Sequence, residues 1–310
     1  AVLRAATPGL RALGVDLVWP FHVGWYNERI AEKMNLTHLP TLSAGPDTLG
    51  VLLGNTKTIW PKFKSAYLNY EDIRKCPNPL DWGYIRPGIK RLMARVLTKQ
   101  TGSSQELDRD RLFLTNETDT DRLVAMPRLA HESGLAWLCP VSYLSVHPLL
   151  GPWIGYRAVM IIDSDASTLT PTPTPSHDLN PNSNPTQNYD FLSHWGWCPN
   201  PKDVTATALR QQIPEGWVWG SPALPLYGEH SKANIEAILK ECVLPTDEKK
   251  PERLDKNADG PMKLSEQSRK WLDLRRRVAQ EFEVNVGVQS QLHEFTEEQV
   301  LFHYDRKLYL

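Results

Sequence analysis

The chain has 310 residues, a mass of 35.3 kDa, 41% hydrophobic and 23% charged residues, and a formal net charge of −1. That balance is ordinary for a soluble globular protein and supplies no electrostatic case for binding nucleic acid or an anionic membrane. No apolar run approaches the ~20 residues of a membrane-spanning helix.

In chain order, Val18-Trp19-Pro20-Phe21-His22-Val23-Gly24-Trp25 reads as a strand that passes into a polar tip at Tyr26-Asn27-Glu28. A loop then leads to a second strand over 48–53, ending at the turn-prone Gly54-Asn55-Thr56. Helices are predicted over about 58–68 and 87–97, the second with apolar positions 89, 92, 93, 96 and 97 on one face and Pro87 in its first turn. Residues 111–115 look like a strand, and 121–137 are mixed, with Pro127 expected to break any helix. The clearest strand is 153–162. Its alternation puts Trp153, Gly155 and Arg157 on one face and Ile154, Tyr156 and Ala158 on the other.

A Thr/Pro and Asn/Pro tract over 167–188 offers little to bury and is expected to be an extended loop. Helical patterns follow at 203–212, 231–242 and 265–282, the last with apolar Trp271, Leu272, Leu274, Val278 and Phe282. Thr296-Glu297-Glu298-Gln299 is a capping-box pattern that opens a short final helix. The irregular order of elements lacks the βαβ cadence of a parallel sheet, so the expected class is α+β, mostly antiparallel, in a single domain over 1–310.

Cys76, Cys139, Cys198 and Cys242 are far apart and form no CxxC pair, which reads as free thiols in a reducing compartment. With no signal-peptide pattern at Ala1, a cytoplasmic protein is expected. The sequons at Asn35 and Asn116 then have no role. No nucleotide-binding, zinc-protease or serine-hydrolase motif is present.

Four features could carry chemistry. His131 and His147 each precede a glycine by a few residues, and on spacing alone they read as hydrogen-bonded structural histidines. Arg157 lies in a strand that should be buried, so its guanidinium needs a partner. An internal carboxylate and the carboxylate or phosphate of a ligand answer equally well. His194 and Cys198 could mark a metal corner but are too few ligands for zinc. Asp255, Asn257, Asp259 and Glu266 fall at EF-hand positions one, three, five and twelve, with Gly260 at six. Pro251, Pro261 and Lys263 suit that motif poorly and no second loop pairs with it, so a turn before a helix competes with a calcium site.

Four blocks in order resemble the methylmalonic aciduria and homocystinuria type C protein family. They are the Val18-to-Glu28 segment, Gly45 to Thr56, Leu129-Ala-His131-Glu-Ser-Gly134, and His147-Pro-Leu-Leu-Gly-Pro-Trp153 running into Arg157. Glu294 to Gln299 is similar to that family's short acidic helix. Residues 200–265 have no counterpart and look like an insertion. The resemblance implies a nitroreductase-like flavin-reductase scaffold that holds base-off cobalamin and removes its upper axial ligand. Decyanation would draw electrons from reduced FMN or FAD, and dealkylation would pass the alkyl group to glutathione.

By the same resemblance, Val124, Ala125, Met126, Pro127 and His131 lie near the cobalamin and its nucleotide tail. Leu138, Cys139, Ser145, Trp153 and Tyr156 add further contacts, and Arg157 is the catalytic-site residue facing a glutathione carboxylate or flavin phosphate. A second family arginine has its expected counterpart in 285–291, where no basic residue stands, which counts against glutathione chemistry. Expected partners are small molecules and a reductase or cobalamin-trafficking protein. The alternatives are a flavin-dependent reductase without cobalamin and a non-catalytic cobalamin carrier.

Overall fold

The computed structural model describes residues 2–101, 109–117, 119–167, 226, 229–242, 265–286 and 290–305. The expectations for 168–188, for a helix over 203–212, for the His194–Cys198 corner and for Asp255, Asn257 and Asp259 lie outside these residues. Glu266 begins the helix Glu266–Val286.

The strands are β1 (Leu17–His22), β2 (Thr48–Asn55), β3 (Leu112–Leu114), β4 (Trp137–Leu138), β5 (Ser145–Val146) and β6 (Gly155–Asp165). Four of them form a sheet in the order β1-β2-β6-β3, every pair antiparallel, and β4 and β5 make a separate hairpin. Every residue of β1 and β2 is buried, because helices cover both faces of the sheet. That is why these strands read as unbroken apolar runs. Pro20, which has no amide to donate, is accommodated because β1 is an edge strand. Phe21 pairs across the strands with Gly50, and its ring occupies the space a Cβ at Gly50 would need.

One face of the sheet carries Trp19, Phe21, Leu52, Phe113, Val159 and Ile161 against Tyr26, Ile30, Met126, Leu129, Leu274, Val278 and Phe282. The other carries Val18, Val51, Leu53, Met160 and Ile162 against the helices Val2–Ala12, Ile59–Asn69 and Arg86–Thr101, with Phe302 of the final helix Glu297–Asp305. Each fully buried side chain of this size contributes about 1.5–3 kcal/mol. A third cluster of Trp153, Leu272, Ala279, Phe295 and Val300 joins Glu266–Val286 to the approach to β6 and to the final helix. The expected capping box is half formed: Thr296 Oγ1 accepts from the Gln299 amide at 3.3 Å, while Gln299 Oε1 has no partner among the described residues. No described helix is long and apolar enough to cross a membrane.

Three expectations are corrected. First, the β1 run stops at His22. Val23–Tyr26, a π-helical Asn27–Ala31 and Glu32–Met34 then continue as helix, where a strand tip and loop were expected. Val23, Tyr26 and Ile30 are buried at helical spacing, a period hidden inside an aromatic-rich word. Asn35, in the left-handed region at φ 51°, ends it. Second, Pro127 does not break a helix. It sits in the first turn of Met126–Glu132, where its missing N–H is no loss. Third, the alternation around Arg157 fails. Leu53 pairs with Ala158 but Gly54 pairs with Tyr156, so Arg157 is an extra residue in a β-bulge. Tyr156 therefore packs with the cluster that holds Val159, and Ala158 faces the opposite one.

Candidate functional site

The bulge opens the sheet at the start of β6 and shapes a cavity of ≈ 260 Å³ there. Its walls come from separate parts of the chain. Gly155, Tyr156 and Arg157 belong to β6, Tyr143, Leu144 and Ser145 to the β4–β5 hairpin, and Pro127 to the helix Met126–Glu132. Thr115 follows β3, Asp81 lies in the π-helical Pro79–Ile85, and Arg275 is on Glu266–Val286. At Gly54, a Cβ would stand 2.8 Å from the Gly155 carbonyl oxygen, so the close approach of β2 to the bulge requires glycine.

Arg157 is 3% exposed and Asp81 1%. The guanidinium donates from Nε to Asn55 Oδ1 at 2.5 Å and from Nη1 to Asp81 Oδ1 at 3.2 Å. Asp81 is itself fixed by Asn78, whose Oδ1 accepts from the Asp81 amide at 3.1 Å and whose Nδ2 donates to Asp81 Oδ2 at 3.2 Å. Of the two partners open to Arg157 in the sequence, the internal carboxylate is the one present. The Arg157 carbonyl accepts from the Thr115 amide at 3.0 Å, which ties β3 to the bulge.

Arg275 is the residue the sequence reading missed. Its guanidinium carbon lies 5.8 Å from the Trp153 ring centroid and 5.7 Å from that of Phe295, a cation–π seat. Nε and Nη1 are buried and have no hydrogen-bond partner among the described residues. Nearby, Ser145 Oγ and Tyr156 Oη are also buried without a completed hydrogen bond. Burial pushes the Tyr156 phenol far above its ordinary range, the Ser145 hydroxyl offsetting part of the shift, so it stays a neutral donor. The cavity thus holds unspent donors on Arg275 beside the hydroxyls of Ser145 and Tyr156, and its one carboxylate already faces Arg157. Groups with oxygen acceptors and negative charge complement such a set.

A signal for Arg275 was available. Trp271, Arg275, Val278 and Phe282 fall at i, i+4, i+7 and i+11 on one helix face, so an arginine interrupts the apolar stripe. The stretch 285–291, set against the family's second arginine, holds no basic residue, but the cavity does have a second arginine, Arg275, on the helix upstream of it.

The cavity brings together four of the residues named from the resemblance: Pro127, Ser145, Tyr156 and Arg157. Trp153 lies beside it as the ring under Arg275. Met126 is buried, with its sulfur 3.1 Å from the Thr115 hydroxyl. Val124 and Ala125 pack on the same apolar cluster, the Ala125 amide donating to Tyr26 Oη at 3.3 Å. Cys139 is buried and accepts from the Ser142 amide at the turn of the hairpin. His131 is half-buried and does not line the cavity; its Nδ1 accepts from the amide of the half-buried Leu138 at 3.4 Å. Desolvation lowers its pKa, Glu132 and Arg128 pulling in opposite senses.

His147 is structural. Its Nδ1 accepts from the amides of Leu149 and Leu150, each at 3.2 Å, and burial holds its pKa well below the ordinary value, with His293 adding to the effect. Among the described residues no His, Cys, Asp or Glu group could hold a metal ion.

The cobalamin implied by the resemblance can be tested against this geometry. The donors fit an anionic arm such as a phosphodiester or a carboxylate. The volume lies just below that of pockets that take drug-sized ligands, so it fits a small group and not a whole corrin macrocycle.

No protein-family model matches the chain, and no curated protein matches it by sequence. A solved structure similar to it is that of a C. elegans B12-trafficking protein, CblC, described as a human MMACHC homologue. It shares 14% identity, covers 97% of this chain and 90% of its own, and superposes with a TM-score of 0.51. At that identity the likeness shows the fold, a nitroreductase-like arrangement of helices and antiparallel sheet.

Proposed function

We propose that this chain binds cobalamin and takes part in its processing, with reductive removal of the upper axial ligand as the reaction. The observation that carries the reading is the convergence of Pro127, Ser145, Tyr156 and Arg157, distant in sequence, on one cavity. The shared fold with a B12-trafficking protein and the order of the four sequence blocks support it.

A bound flavin would supply electrons and the corrinoid the reacting metal. The chain's own contribution is to bind and orient. Arg275, Ser145 and Tyr156 would hold an anionic arm of the ligand, and Asn55 and Asp81 fix Arg157 so that its guanidinium keeps one orientation. Since the cavity does not enclose a macrocycle, no step at cobalt is derived from it.

Arg275 favours a second reading on the same site. The Arg275 guanidinium, with unspent donors, suits a carboxylate of glutathione, so thiol-dependent dealkylation returns as a candidate activity.

The test of the first reading is decyanation: cyanocobalamin, FMN and NADPH with a flavin reductase, followed by visible absorbance. The expected result is loss of the cyanocobalamin spectrum only when the chain is present. Flavin binding with no change in cyanocobalamin would point to a reductase of another substrate, and tight cobalamin binding without decyanation to a carrier.

A further inference from the structure

Two guanidinium groups and one carboxylate share this cavity, and they are not equivalent. Arg157 is neutralised by Asp81 at 3.2 Å, inside a network that leaves both residues almost wholly buried. Among the described residues no acid pairs with Arg275; it rests on two aromatic rings with two buried N–H donors unspent. The hydroxyls of Ser145 and Tyr156, the other donors in the cavity, are neutral. The cavity therefore carries one uncompensated positive charge.

We propose that Asp81 sets the charge of the ligand this cavity accepts: a group with a single negative charge, a carboxylate or a phosphodiester, seated on Arg275. A dianionic phosphate monoester would bring a second charge that no further cation among the described lining residues is free to balance, with the Asp81 carboxylate in the same small volume to repel it. The assignment rests on the reading above only in taking this cavity as the ligand site; it names the charge class and not the ligand. Asp81 acts through Arg157 and through the field in the cavity, as a specificity residue. It is not a catalytic one.

Two probes of one shape separate the cases: methyl phenyl phosphate, a monoanion, and phenyl phosphate, a dianion at pH 7.5 because its second pKa is about 6. Calorimetric titration of the full chain should show the diester bound at least about tenfold more tightly than the monoester. Asp81→Asn, which frees the Arg157 charge while keeping an oxygen acceptor, should raise monoester affinity by about tenfold and erase the preference. Arg275→Gln should weaken the diester by about tenfold.

Equal affinities in the unmodified chain, no binding of either probe, or an unchanged ratio in a folded Asp81→Asn variant would each overturn the proposal. The comparison of the two probes on the unmodified chain stands even if Asp81→Asn does not fold. Neither probe contains a corrin or a flavin. A chain that takes the diester but leaves hydroxocobalamin untouched would keep the charge rule and lose the cobalamin reading.

Discussion

Arg157 and Asp81 show what a single buried ion pair does here. Removing two charges from water costs several kcal/mol per ion, and the pair offsets that only with good geometry and further hydrogen bonds, which Asn55 and Asn78 provide. Asn55 and Asp81 gave no warning in the sequence, because the demand that Arg157 makes is met across 102 and 76 residues of chain.

His147 carries a prediction at the same scale. Its folded pKa lies below the unfolded value of 6.5, so between the two the unfolded chain binds more protons. The stability it confers is present above about pH 6.5 and is lost as pH falls toward the folded pKa. His131 and His293 are shifted the same way and add to the slope. Urea unfolding at pH 7.5 and 5.5 should show the parent chain losing about 1.4 kcal/mol more than His147→Asn, whose oxygen can still accept from Leu149 or Leu150. Equal losses would show that His147 is not the titrating group.

Among the elements, the bulge in β6 matters most. A one-residue insertion reverses the side-chain parity of a strand, so Tyr156 changes face while the sequence still reads as simple alternation. The sequence pattern located β6, β2, the Ile59–Asn69 helix and the Glu266–Val286 helix closely, since those runs are long and strongly periodic. It missed the helix after β1 because Phe21, Val23 and Trp25, alternating aromatic and β-branched residues, satisfy a strand template equally well. It misjudged Pro127 because the same residue can start a helix or stop one.

The bulge itself can be tested. Gly54→Ala would drive a Cβ toward the Gly155 carbonyl oxygen, a backbone atom that cannot swing aside. Chemical denaturation should show a loss of about 1–3 kcal/mol, and an unchanged midpoint would place the strands farther apart than described.

At the scale of the whole molecule, the site exists because three layers meet. The sheet supplies Arg157 and Tyr156, the layer on one face supplies Pro127 and Arg275, and Asp81 arrives from the π-helical turn that packs with the helices of the other face. The third cluster, with Trp153 and Phe295, holds the Arg275-bearing helix against the approach to β6. The fold class and four of the twelve residues that line the cavity were legible in the sequence. The assembly of that cavity was not, because no local pattern specifies which distant segments will face one another.

The central claim is that this chain binds cobalamin with an anionic arm of it seated in this cavity, and a visible-absorbance titration of hydroxocobalamin with the full chain tests it most directly. The account predicts a saturable shift to the base-off spectrum, weakened about tenfold by Arg275→Gln. A spectrum that stays unchanged through a large molar excess of folded protein would contradict it.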